Sequence, residues 1–137
     1  ENNIEAVQFN VPSSISDDIY VSGSRLSSNE VRAGRSIIAY TTQAYTGTKR
    51  RYQLQPYPYV GYYLSQDDQL DDTDELLAQD VSSIGSDDLS DSESASLRIP
   101  SSTSGGTYHI LFVADYKNSY SEDDESNNLQ FIEITVQ

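Results

Sequence analysis

The chain has 137 residues, 22 acidic against 8 basic side chains, a net charge of −14, and no Cys, Met or Trp. That is enough chain for one domain with a sizeable core. It excludes disulfide and thiolate chemistry and argues against nucleic acid or anionic lipid as partners, since both demand clustered Lys and Arg. No apolar run approaches the roughly 20 residues needed to cross a bilayer, so no membrane insertion is expected. The missing initiator Met points to a processed or excised chain that has shed an export signal. The charge is also lopsided: residues 1–60 carry 6 basic and 5 acidic side chains, residues 61–137 carry 2 and 17.

Residues 1–16 form a segment of their own. Val7, Phe9 and Val11 alternate with polar residues at period two, the pattern of a strand. Pro12 to Asp18 then reads as a linker. The domain proper, residues 17–137, opens with a strand over Ile19–Val21 and Leu26. Val31-Arg-Ala-Gly34 is expected to be a turn whose glycine supplies positive φ. A long strand follows from Arg35 to Tyr45, then a basic turn containing Lys49-Arg50-Arg51. Pro56 and Pro58 flank Tyr57 and suit the entrance of a strand rather than a sheet centre. Tyr59–Leu64 and Leu76–Val81 are strands. Asp91–Ile99 alternates with Ala95, Leu97 and Ile99 inward. Residues 107–115 are apolar on both faces, as in a central strand covered on each side. Residues 129–136 send Ile132, Ile134 and Val136 to one face. The segment Asp71–Leu77 is too short for an independent helix. The expected fold is all-β: a seven-stranded antiparallel immunoglobulin-like sandwich with an extra N-terminal strand.

Several tracts stand out: Ile19-Tyr-Val-Ser22, Val31-Arg-Ala-Gly34, Val60-Gly-Tyr-Tyr-Leu-Ser65 and the acidic stretch from Leu70 to Leu77. Ile99-Pro100, Gly106-Thr-Tyr108, Val113-Ala-Asp115 and the ending Glu122-Asp-Asp-Glu-Ser-Asn-Asn128 complete the set. Together they resemble the CARDB domain, the cell adhesion related domain found in bacteria. The resemblance spans Ile19 to Val136. It implies an immunoglobulin-like module on exported or cell-surface proteins of prokaryotes, serving adhesion or spacing, without enzymatic activity. Residues 1–16 and the Lys49–Arg51 turn fall outside the pattern.

Two acidic stretches are candidate calcium sites, because Ca²⁺ takes six to eight oxygens and clustered carboxylates supply them. One is the loop with Asp67, Asp71 and Asp74, which also carries Asp68, Asp72 and Glu75. The other would use Asp115, Asn118, Glu122 and Asp124. The loop order is not that of an EF-hand, since the required Gly and terminal Glu are missing. Catalysis is not expected. His109 is the only histidine and sits among apolar neighbours, and no Gly-x-Ser-x-Gly elbow exists.

Three surfaces are candidates for contact with partners. Val7, Phe9 and Val11 can add as a strand to their own sheet or to a neighbouring copy, the latter building a filament. Tyr57 and Tyr59, within a Tyr-rich stretch, are candidate sugar-stacking rings, the alternative being a carbohydrate-binding module with calcium support. Lys49, Arg50 and Arg51 would meet an acidic surface, on an identical copy or another cell-surface protein.

Overall fold

A computed structural model describes residues 17–117 and 128–137. The proposed assembly strand (Val7, Phe9, Val11) and three candidate ligands (Asn118, Glu122, Asp124) lie outside the described residues. The described chain forms β1 (Asp18–Leu26), β2 (Glu30–Val31), β3 (Ser36–Thr46), a 3₁₀ turn at Arg51–Gln53, β4 (Tyr59–Ser65), β5 (Glu75–Val81), β6 (Ser90–Arg98), β7 (Gly106–Val113) and β8 (Leu129–Val136). There is no α-helix among the described residues, and no helix long and apolar enough to cross a membrane.

The strands form two sheets, β1-β3-β6 and β2-β8-β7-β4-β5, which makes the fold an all-β sandwich. All seven strands expected from residue 19 onward are present, with ends shifted by a residue or two. One element differs in kind. Val31, expected within a turn, joins Glu30 in a short strand that pairs in parallel with Thr135 and Val136, so the sandwich is not purely antiparallel. A two-residue strand carries no periodicity to read, and only its partner reveals it. Gly34 fills its expected role at φ +83°, and its N–H donates to Ile99 O at 2.7 Å, tying the turn to the residue that follows β6.

The core lies between the sheets because alternate residues of each strand point there. Ile19, Ile37, Ala39, Leu97 and Ile99 meet Val60, Tyr62, Ile110, Phe112 and Ile134, all nearly or wholly removed from solvent. Tyr62 and Phe112 pack edge to face at 5.8 Å between centroids. β7 lies between β4 and β8 and is buried on both faces from Ile110 onward, as its two-sided apolar sequence requires. Ala114 and Asp115, expected to close this strand, lie in the turn after it.

The register fixes two poles. Ser65 pairs with His109 and Gly61 with Val113, so β4 ends beside the start of β7. The β4–β5 loop and the β6–β7 loop therefore share the pole at which β8 ends. The start of β1, the Lys49–Arg51 turn, the β5–β6 connector and Asp115 occupy the other pole.

Candidate metal centre

Asp67, Asp71 and Asp74 converge in the β4–β5 loop, one carboxylate oxygen from each lying within 4.8 Å of the others. Two ligands on opposite sides of a Ca²⁺ ion, each about 2.3–2.6 Å from it, are separated by a similar span. Asp67 and Asp71 are exposed and Asp74 is half-buried, so the cluster opens to solvent.

The loop is shaped by its own short side chains. Asp67 Oδ1 accepts from the Gln69 N–H at 2.9 Å, and Asp71 Oδ1 accepts from the Thr73 N–H at 2.9 Å, two successive Asx turns. Asp74 Oδ2 accepts from the Asp71 N–H at 2.8 Å and folds the end of the loop back. The Thr73 hydroxyl and N–H together hold the Asp71 carboxyl below its usual value. That keeps it ionised, as a cation requires. Neither ion pair found among the described residues involves this loop. Asp68, Asp72 and Glu75 are exposed and not part of the cluster. Beside it lies an open cleft of about 560 Å³, lined by Ser65, Gln66, Thr73, Glu75, Tyr108 and the loop at 102–104.

The second proposed ligand set is not joined to the first. Asp115 lies six residues beyond His109 along β7 and its turn, about 20 Å at the rise of a strand. It is buried at φ +44° and its N–H donates to Gln43 Oε1 at 2.8 Å. A single ion cannot bridge Asp115 and the triad, so calcium ligands drawn from both stretches would belong to two centres.

The remaining candidates have defined places. Lys49 Nζ lies 2.6 Å from Asp17 Oδ2, and Arg51 Nε lies 3.3 Å from Asp87 Oδ2. Two of the three basic side chains are thus engaged within the chain, while Arg50 makes no ion pair among the described residues. Burial opposes ionisation of Asp17, but Lys49 and the Tyr45 hydroxyl outweigh it and hold that carboxyl low. Tyr57 and Tyr59 are half-buried, and the Lys117 ammonium sits 3.9 Å over the Tyr59 ring. Tyr62 is fully buried in the core. His109 packs edge to face on Phe131, 5.7 Å between centroids.

One acidic cluster was not anticipated. Asp80 of β5 and Asp91 and Glu93 of β6 meet where the edge strands of the two sheets approach. The signal was present: continuing the inward alternation of Ile99, Leu97 and Ala95 back two steps gives Glu93 and Asp91.

Comparison with known proteins adds to this geometry. No family profile matches the sequence, and no curated protein matches it. Solved structures do. A crystal structure of a CARDB domain from Pyrococcus furiosus, in complex with di-metal ions, superposes with a TM-score of 0.61 at 16% identity, over 88% of this chain and 94% of that one. A solution structure of the Pyrococcus furiosus domain gives a TM-score of 0.62 at 18% identity, with the same coverage. The fold is that of the CARDB domain. A part of β-glucosidase 3B from Thermotoga neapolitana also matches, with a TM-score of 0.56 at 11% identity. It covers 88% of this chain but 16% of the enzyme. The near-complete coverage of the Pyrococcus domain makes the CARDB unit, and not a fragment of it, the match to this chain.

Proposed function

We propose that this chain is a non-enzymatic CARDB module of an exported prokaryotic surface protein, and that it holds calcium in the β4–β5 loop. The convergence of Asp67, Asp71 and Asp74 carries the reading. The di-metal complex of the Pyrococcus furiosus domain supports it. An all-oxygen set suits a hard cation over a transition metal, and an extracellular medium supplies calcium. The ion's task is structural: it neutralises three carboxylates in one loop and fastens the end of β4 to the start of β5. Titrating Ca²⁺ into EDTA-treated protein is expected to raise the melting temperature, and Asp71→Asn is expected to abolish most of that rise. An unchanged melting temperature at millimolar Ca²⁺ removes the proposal.

A second reading, assembly by strand addition, is favoured by one sheet edge. β8 pairs with β2 only through Thr135 and Val136. Its side from Leu129 to Ile134 has no strand partner beyond β7 among the described residues. An opening of about 420 Å³ lies there between β8 and the bulge of β1, lined by Gly23, Ser24, Leu129, Gln130, Phe131 and Ile132. An alternating segment with Val7, Phe9 and Val11 supplies a strand for such an edge, from the same copy or a neighbour. Size-exclusion chromatography with and without residues 1–16 separates the two: donation to a neighbour requires a larger species that truncation abolishes, and monomers in both cases end it. Carbohydrate recognition through Tyr57 and Tyr59 draws less support, because Lys117 covers one face of the Tyr59 ring.

A further inference from the structure

The Asp80, Asp91 and Glu93 carboxyls lie at the open side of the sandwich, where β5 and β6 are the edges of different sheets. No ladder joins these two strands, so side chains must hold the seam. Ser82, completely buried, donates its hydroxyl to Glu93 Oε2 at 2.5 Å. The Ser83 N–H donates to Asp91 Oδ2 at 3.4 Å, and the Tyr62 hydroxyl donates to Asp80 Oδ2 at 3.2 Å. Ser82 is itself anchored to the entrance of β4 through its N–H on Pro58 O, at 2.9 Å. Asp91 and Glu93 stand two residues apart on one face of β6, so their carboxyls and that of Asp80 are gathered at one seam. Gathered carboxylates repel one another, and a proton on one of them relieves that repulsion.

Among the described residues the surroundings offer no competing cation. From β3, the residues paired with Glu93 and Asp91 are the neutral Thr41 and Gln43. β4 contributes Tyr62 and β5 contributes Asp80. The connector contributes Ser82 and Ser83, and Arg51, which packs on that connector at Gly85, is paired with Asp87. Burial, then the neighbouring Asp91 and Asp80, push the Glu93 carboxyl up to about 7 against the help of Ser82. Burial and Asp91 raise Asp80 as well.

We propose that these three carboxyls form a protonation latch: a proton held on Glu93, beside Asp80 and Asp91 and under the Ser82 hydroxyl, closes the β5–β6 seam, and its loss sets like charges against one another and loosens the seam. The folded state then holds a proton that the unfolded chain releases near the ordinary Glu value. Stability therefore declines as pH rises from that value through the folded-state midpoint. This direction is opposite to that of a salt-bridged carboxylate.

A carboxyl ¹³C titration of the EDTA-treated chain tests it directly. Glu93 is expected to titrate well above the ordinary glutamate value of 4.5, with the melting temperature falling between about pH 5 and 8. Glu93→Gln keeps the seam uncharged at that position, so it should raise the melting temperature at pH 8, change it little at pH 5, and flatten the profile between. His109→Gln, made in parallel, removes the single histidine of the sequence and so isolates the carboxyl contribution. A Glu93 midpoint near 4.5 overturns the latch, as does a Glu93→Gln profile parallel to that of the starting protein.

Discussion

Gln43 carries more of the fold than its place in a strand suggests. It sits fully buried on the inner face of β3, in line with Ile37, Ala39 and Thr41. Its Oε1 accepts the Asp115 N–H at 2.8 Å, and its Nε2 donates to Pro58 O at 3.4 Å. One amide thus holds the turn after β7 and the entrance of β4. Asp115 adopts a left-handed conformation that side chains seldom take, so something must hold it there. Gln43→Leu fills the same space but leaves the Asp115 N–H buried without that acceptor. The expected cost is about 1–3 kcal/mol in urea denaturation, and a loss below about 0.5 kcal/mol would show that the bond is dispensable. Periodicity placed residue 43 in a strand but could not say what its amide meets, because that partner is 72 positions away in sequence.

At the level of elements, Gly61 is a point of close packing on the outer face of the larger sheet. A Cβ at that position of β4 would come within 2.6 Å of Tyr116 Cγ, so the tyrosine ring lies directly on the glycine backbone. Tyr116 also packs edge to face on Tyr63 at 6.1 Å. Gly61→Ala must therefore push the ring away, costing about 1–3 kcal/mol by the measure of overpacked cores. In a double-mutant cycle, Tyr116→Ala should absorb part of that cost, and strict additivity would mean that the two residues do not touch in solution. What could be read from the sequence at this scale follows from locality. The alternation of Ile37, Ala39 and Thr41 and the two-sided apolar run of β7 announce their strands. The acids at 67, 71 and 74 gather because one short loop carries them all. The seam of Asp80, Asp91 and Glu93 depends on two strands of different sheets meeting, which no local pattern encodes. β2 escaped for the same reason, being defined wholly by its pairing with β8.

For the whole molecule, the two sheets are unequal and the charge is unevenly shared. The three-stranded sheet exposes Ser92, Ser94 and Ser96 along its β6 edge, a polar rim that discourages further pairing. The five-stranded sheet carries the exposed Leu76, Val81 and Phe131 and the part-open edge of β8. Surface contacts, including the strand addition proposed above, are therefore expected on the larger sheet. Acidic groups are clustered at the β4–β5 loop and at the β5–β6 seam, so the cation proposed at the first and the proton proposed at the second would act on separate parts of the sandwich. The order of strands has a mechanical consequence. β1 starts at one pole, β8 finishes at the other, and the two run side by side in the same direction. A load pulling these ends apart would run along the strand axes. The rungs between β1 and β3 lie across that line, so they would bear the force together in shear instead of opening one after another like a zip.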